Sequence, residues 1–272
     1  MPDLQTIATQ PTGREVHYYR AGSGAPLLYL HGVMGLTGWE DTLETLSQSF
    51  DVIAPFHPGW GPAKDQLPDV STTLDLLVHY DDLLETLGLE QVNVAGISVG
   101  AWIGAELAAI LRRRVDKLVL VNPLGIWDES NPGEDFFAQS PASPMGVQFS
   151  NPGLRKELLV GERDGVEAML QEALDLRAAA KFLWPIPDSG VEAHLARIGA
   201  PTLVVTSGGD QVLPAALGER WASGISNAQS TVLPEAGHAA QLEQPAAVAE
   251  LIRAWVADST VATPEVKVLA PA

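Results

Sequence analysis

The sequence predicts an α/β protein: a mostly parallel sheet flanked by helices on both faces, with one helical insertion. Three observations carry this reading. Short runs that are apolar throughout recur along the chain and end in glycine or proline, as strands buried on both faces do. Stretches of helical spacing separate those runs. Between residues 128 and 197 the alternation stops, and helical spacing continues without a strand-like run.

Taken in order, "EVHYYRAG" alternates and reads as an early strand closed by a glycine turn. "PLLYLHG" and "DVIAPFHPG" read as buried strands, with "WEDTLETLSQSF" a helix between them. "STTLDLLVHYDDLLETLGL" is a clearer amphipathic helix, with Ser71 or Thr72 as its cap. "DKLVLVNP", "PTLVVTS" and "STVLPEAG" supply later strands, and helices are expected around Ala215–Ser223 and Gln244–Val256. The expected division is a core domain over 1–127 and 198–258, a helical insertion over 128–197, and a loosely ordered tail over 259–272. The insertion opens with the proline- and serine-rich loop "DESNPGEDFFAQSPASPMG", and helical spacing follows from Arg155 to Trp184.

The stretch Val92–Leu111, "VNVAGISVGAWIGAELAAIL", is apolar enough to suggest a membrane span. Gly96, Gly100 and Gly104 weaken a continuous helix, and Glu106 would be costly in lipid. The stretch divides better into a buried strand, "VNVA", and a helix, "AWIGAELAAIL", with Ser98 at the turn between them.

Across its 272 residues the chain carries a net charge of −18, and 46% of its residues are hydrophobic. That charge argues against nucleic acid, which requires clustered lysine and arginine. With no cysteine, thiol catalysis, disulfides and thiolate metal sites are excluded. The amino terminus has neither a basic start nor an apolar run of signal-peptide length. A cytoplasmic location, no membrane partner, no metal and no cofactor are therefore expected.

"GISVG", Gly96–Gly100, fits G-x-S-x-G, a sharp turn that lifts a serine hydroxyl above a sheet. An alcohol needs a base, and histidine is the usual one near neutral pH. His238, in "LPEAGHAAQLEQP", lies on a glycine loop between the last strand and the last helix. His31 and His57 also lie at strand ends, whereas His17, His79 and His194 read as structural. The base needs an orienting carboxylate. Asp210, just beyond the strand "PTLVVTS", is preferred over the second candidate, Asp128, because strand-end loops assemble sites in such sheets.

With "HGVMG" and "HPGWG" after successive strands, then "GISVG", an aspartate loop and a late "GH" loop, the chain resembles the α/β-hydrolase fold family from Thr12 to Asp258. Ser98, Asp210 and His238 follow the family's order of serine, acid and histidine. The resemblance implies a catalytic triad of these residues and a cap domain formed by the insertion. It also implies an oxyanion hole of backbone N–H groups from Val99 and from Val33 or Met34, with His31 helping to hold that loop. Similar dehalogenases and epoxide hydrolases carry aspartate at the elbow, so Ser98 favours acyl transfer to water.

The expected function is a carboxylesterase for small to medium uncharged esters. One alternative is a carbon–carbon bond hydrolase of the meta-cleavage type, whose carboxylate substrates would want an arginine such as Arg155, Arg163 or Arg177. Another is a hydrolase-like ligand-binding protein with slow turnover. Phe136, Phe137, Met145, Phe149, Phe182 and Trp184 make the insertion dense in large apolar groups. Some of them are expected to line the pocket, because pockets are lined mainly by such side chains, while others glue the insertion to the sheet domain, and Trp184, where the chain leaves the insertion, equally suits a hinge wedge.

Overall fold

In the computed structural model, residues 1–139, 145–160 and 165–258 are described. Eight strands form one sheet: β1 (Gln5–Ala8), β2 (Glu15–Ala21), β3 (Ala25–Leu30), β4 (Phe50–Pro55), β5 (Val92–Ile97), β6 (Val115–Val121), β7 (Thr202–Ser207) and β8 (Ala228–Leu233). Their order is β1-β2-β4-β3-β5-β6-β7-β8. The β1–β2 and β2–β4 pairs are antiparallel and the rest are parallel. β5 and β7 are buried at every residue, which is why their sequences lack alternation.

The helices are α1 (Asp41–Ser47), α2 (Thr73–Thr86), α3 (Val99–Ile110), α4 (Gly165–Leu183), α5 (Ala215–Gly224), α6 (Ala240–Glu243) and α7 (Pro245–Ala257). Two apolar clusters cover the two sheet faces. One gathers Leu28, Leu30 and Val94 with side chains of α2, α3 and α5. The other gathers Leu27, Tyr29 and Ala95 with side chains of α1 and α7. α2 begins as its sequence predicts: the Thr72 hydroxyl accepts from the Asp75 N–H, and the Asp75 carboxylate accepts from the Thr72 N–H, a reciprocal cap. α3 is buried at eleven of its twelve positions, Val99 to Ala109, which accounts for a hydropathy that resembles a membrane span. No helix among the described residues is long and apolar enough to cross a membrane.

Three details differ from the expectations. β1 precedes the first expected strand; it is four residues long and mostly exposed, so it carries no apolar pattern. The continuous helical spacing after Arg155 resolves into a short turn over Lys156–Val160 and then α4. The expected final helix is preceded by the one-turn α6, directly after His238. The tail 259–272 and Arg163 lie outside the described residues.

The segment between β6 and β7 docks onto the sheet through its two ends and α4. The Glu134 N–H donates to the Gln211 carbonyl at 2.7 Å. The Lys181 ammonium, on α4, donates to the Leu67 carbonyl at 2.5 Å. A Cβ on Gly59 would lie 2.8 Å from the Ala178 Cβ, so a glycine lets α4 approach the loop after β4 this closely.

Candidate active site

Ser98 sits between β5 and α3 with φ 55° and ψ −113°, a conformation an L residue adopts only when its surroundings impose it. The imposition is steric and hydrogen-bonded. A Cβ on Gly100 would lie 2.1 Å from the Leu30 carbonyl oxygen, and one on Gly96 would lie 2.4 Å from the Gly100 oxygen. The Ser98 N–H donates to the Val121 carbonyl at 2.8 Å. The glycines of "GISVG" thus let β5, α3 and β3 meet beneath the serine.

The Ser98 hydroxyl lies 2.7 Å from His238 Nε2, and His238 Nδ1 lies 2.7 Å from Asp210 Oδ2. With its Nδ1–H donated to the carboxylate, a neutral imidazole leaves Nε2 to accept the serine proton. All three side chains are shut away from water: Ser98 is 2% exposed, and the His238 and Asp210 side chains are 1% and 0% exposed. Asp210 is itself held, because its Oδ1 accepts the N–H groups of Val212 and Leu213 at 2.8 and 2.9 Å. Asp128 does not take part. It is on the surface, and its carboxylate accepts from the N–H and hydroxyl of Ser130, which lower its pKa.

The loop after β3 lies against the serine: a Cβ on Gly32 would be 3.3 Å from the Ser98 Cβ. Val33 and Met34 follow, both buried, and the Trp60 indole N–H donates to the Val33 carbonyl at 2.7 Å. Val99 opens α3, so its N–H belongs to the first turn, which lacks intrahelical acceptors.

His31 fixes the same loop. Its Nδ1–H donates to the Gly32 carbonyl at 2.8 Å, and its Nε2 accepts the His57 N–H at 3.0 Å. His57 Nε2–H donates to the His31 carbonyl at 2.8 Å, and its Nδ1 accepts from the Tyr80 hydroxyl. Burial pushes His31 down to about 4 and His57 well below the usual imidazole range, so both stay neutral. Among the other histidines, His17 pairs with Thr6 on the surface, His194 meets Glu106, and His79 is buried on α2.

The expected pocket residues divide. Phe136, Met145 and Phe149 are closed off from solvent in the same cluster as Val99 and Trp102. Phe137 is half-buried there, and Phe182 meets the Trp102 ring at 6.1 Å. Trp184, next to the last residue of α4, is 60% exposed and stands edge-on to Phe137. A cleft of about 800 Å³ opens beside Met34 and Gly35 rather than directly over Ser98. Leu36, Phe56, Leu158 and Leu159 supply apolar lining, and Gln171 and Asp175 of α4 supply polar lining.

Three contributors were missed from sequence. Asn122, fully buried with φ 46°, sends its Nδ2–H group toward the His238 carbonyl at 3.0 Å and the Ser207 hydroxyl at 2.9 Å. Glu243 and Ser150 meet beside the His238 loop. Asn122 could be noticed as a polar residue ending a buried strand. Nothing in sequence brings Ser150 and Glu243 together.

A mostly parallel sheet with a serine elbow at its centre, and a histidine and an acid on later loops, defines the α/β class of hydrolases. The chain belongs to the alpha/beta hydrolase family, which it matches over residues 27–251. It is 32% identical over 247 residues to the dihydrolipoyllysine-residue acetyltransferase component of the acetoin cleaving system of Cupriavidus necator; the match covers 85% of this chain and 64% of that relative. It is 31% identical over 263 residues to a 2-hydroxy-6-oxononadienedioate/2-hydroxy-6-oxononatrienedioate hydrolase of Pseudomonas putida, covering 84% of this chain and 87% of the relative. A crystallised meta-cleavage product hydrolase from Pseudomonas fluorescens superposes with a TM-score of 0.77 at 21% identity, covering 93% of this chain and 97% of that one; this likeness concerns the fold.

Proposed function

We propose that the protein is a serine hydrolase that cleaves small to medium uncharged carboxylic esters through an acyl-enzyme. The observation carrying this reading is the continuous chain Ser98–His238–Asp210, with both links at 2.7 Å. His238 takes the serine proton as Oγ attacks the ester carbonyl. Backbone N–H groups of Val99 and of Val33 or Met34 hold the oxyanion. His238 then protonates the departing alcohol. Water, deprotonated by the same imidazole, releases the acid and restores Ser98. The segment 128–197 serves as the cap, bringing α4 over the cleft.

A second reading, hydrolysis of a carbon–carbon bond in a dienoate-type diketone, is favoured by the name of the Pseudomonas putida relative. Such a substrate carries a carboxylate and calls for a cation. Arg155 is committed to the buried Glu172, 2.6 Å away, and Arg177 is exposed. The described lining of the cleft includes Glu167 and Asp175 and has no lysine or arginine. These charges support the ester reading. Turnover of p-nitrophenyl esters set against a 2-hydroxy-6-oxo-dienoate decides between the two. Faster cleavage of the dienoate overturns the esterase reading, and a single turnover on both substrates points to a binding protein.

A further inference from the structure

The loop bearing His238 is pinned from two sides. From the sheet, the Asn122 amide donates to the carbonyls of His238 and Gly237 at 3.0 and 3.3 Å. From the insertion, residues 148–150 press against the other side. The Ala239 N–H donates to the Gln148 carbonyl at 2.7 Å. Gly237 packs so closely that a Cβ there would lie 2.3 Å from the Ser150 nitrogen. Both neighbours of the candidate base therefore contact the insertion.

One carboxylate closes this junction. Glu243 Oε1 accepts the Gly237 N–H at 2.9 Å and the Ser150 N–H at 3.0 Å, while Oε2 accepts the Ser150 hydroxyl proton. Hydrogen bonds to a carboxylate are roughly twice as strong as neutral ones. A single side chain on α6 thus joins the insertion to the residue preceding His238. The joined segment, 145–150, also carries the buried Met145 and Phe149.

We propose that Glu243 is a positioning residue that couples the seating of the insertion to the alignment of His238; this rests on the triad reading above. Proton transfer requires His238 to hold its place within about 0.5 Å, and a misplacement of about 1 Å can cost ~10²-fold in rate. A substrate acyl chain packing against the insertion steadies residues 148–150. Through Glu243 it steadies the base as well. A purely structural staple would instead affect melting alone.

The test compares wild type, Glu243→Ala, Glu243→Gln and Ser150→Ala. The readouts are fluorophosphonate labelling and kcat and KM on p-nitrophenyl acetate and octanoate, measured well below each Tm. Labelling of the wild type at Ser98 tests the triad reading first; labelling elsewhere removes that reading and this inference with it. Given labelling at Ser98, Glu243→Ala lowers kcat and the labelling rate by about tenfold or more, with a smaller change in KM. Glu243→Gln stays within about threefold of wild type, since its amide oxygen still accepts both N–H groups and its N–H group can donate to the Ser150 hydroxyl. Ser150→Ala, which loosens only the insertion's side, raises KM for octanoate more than for acetate. A folded Glu243→Ala that keeps kcat and labelling within about twofold of wild type overturns the proposal, as does a Ser150→Ala that shifts both esters equally. If Glu243→Ala does not fold, Ser150→Ala decides.

Discussion

The roles proposed for Ser98 and Asp210 can each be tested by a single substitution. Ser98→Ala removes the hydroxyl that lies 2.7 Å from His238 Nε2 and is expected to lower kcat by ~10⁴-fold or more. The small change lies in a pocket already shaped by glycines, so far-ultraviolet circular dichroism and Tm should be retained. Asp210→Asn keeps the shape but replaces the acceptor facing His238 Nδ1, which favours the wrong tautomer. A loss of about 10⁴-fold in kcat is expected. Asp128→Asn, by contrast, disturbs only a surface turn around Ser130 and should leave kcat within about twofold. Equal losses in the two asparagine variants would contradict the assignment of Asp210 as the orienting acid.

At the scale of elements, the two tasks proposed for the segment between β6 and β7, packing and pocket lining, can be separated by substitutions. Phe149 is fully buried with Met145 against the cluster that includes Val99. Truncating such a phenyl ring costs about 3–5 kcal/mol. Phe149→Ala should therefore lower Tm by roughly 10 °C and slow acetate and octanoate esters alike. Leu158 lines the cleft beside Met34 and is half-buried. Leu158→Ala should leave Tm nearly unchanged while shifting kcat/KM toward octanoate, because the vacated space admits a longer chain. If the ratio moves for Phe149→Ala and not for Leu158→Ala, the acyl chain lies deeper than the cleft.

Across the whole molecule, buried titratable groups make stability depend on pH. Burial lowers His31 and His79 from 6.5 to about 4, and it also lowers His57 well below the usual imidazole value. Between pH 6.5 and about 4 the unfolded chain binds protons that the folded one refuses, so stability falls as the pH drops. Glu40 acts in the opposite sense: burial raises it from 4.5 to about 7, against the N–H and hydroxyl of Thr37. It keeps its proton in the folded protein between those values, so its contribution is lost as pH rises through about 7. Three histidines outweigh one glutamate, and Tm should decline steeply on acidification below pH 6.5. Glu40→Gln removes a buried charge and should raise Tm at about pH 8 by on the order of 5 °C, with little effect near pH 4.5. A uniform effect at both pH values would mean that Glu40 acts through packing.

The α/β class, seven strands of the eight-stranded sheet, the elbow at Ser98 and the order Ser98, Asp210, His238 are legible in the amino-acid sequence. These are local quantities: apolar runs set strands, and "GISVG" is a backbone requirement written in adjacent residues. β1 stayed hidden because an exposed edge strand of four residues needs no apolar pattern. The folded chain, by contrast, sets the Asp210 carboxylate rather than that of Asp128 at 2.7 Å from His238 Nδ1, leaves Trp184 exposed, and opens a cleft beside Met34. It also joined Ser150 to Glu243 across 93 positions and placed Asn122 under the His238 loop. Such contacts depend on where loops from different strands meet above one sheet edge. Hydrophobic periodicity fixes which face of an element is buried, but it does not specify which distant polar side chain will complete a hydrogen bond there.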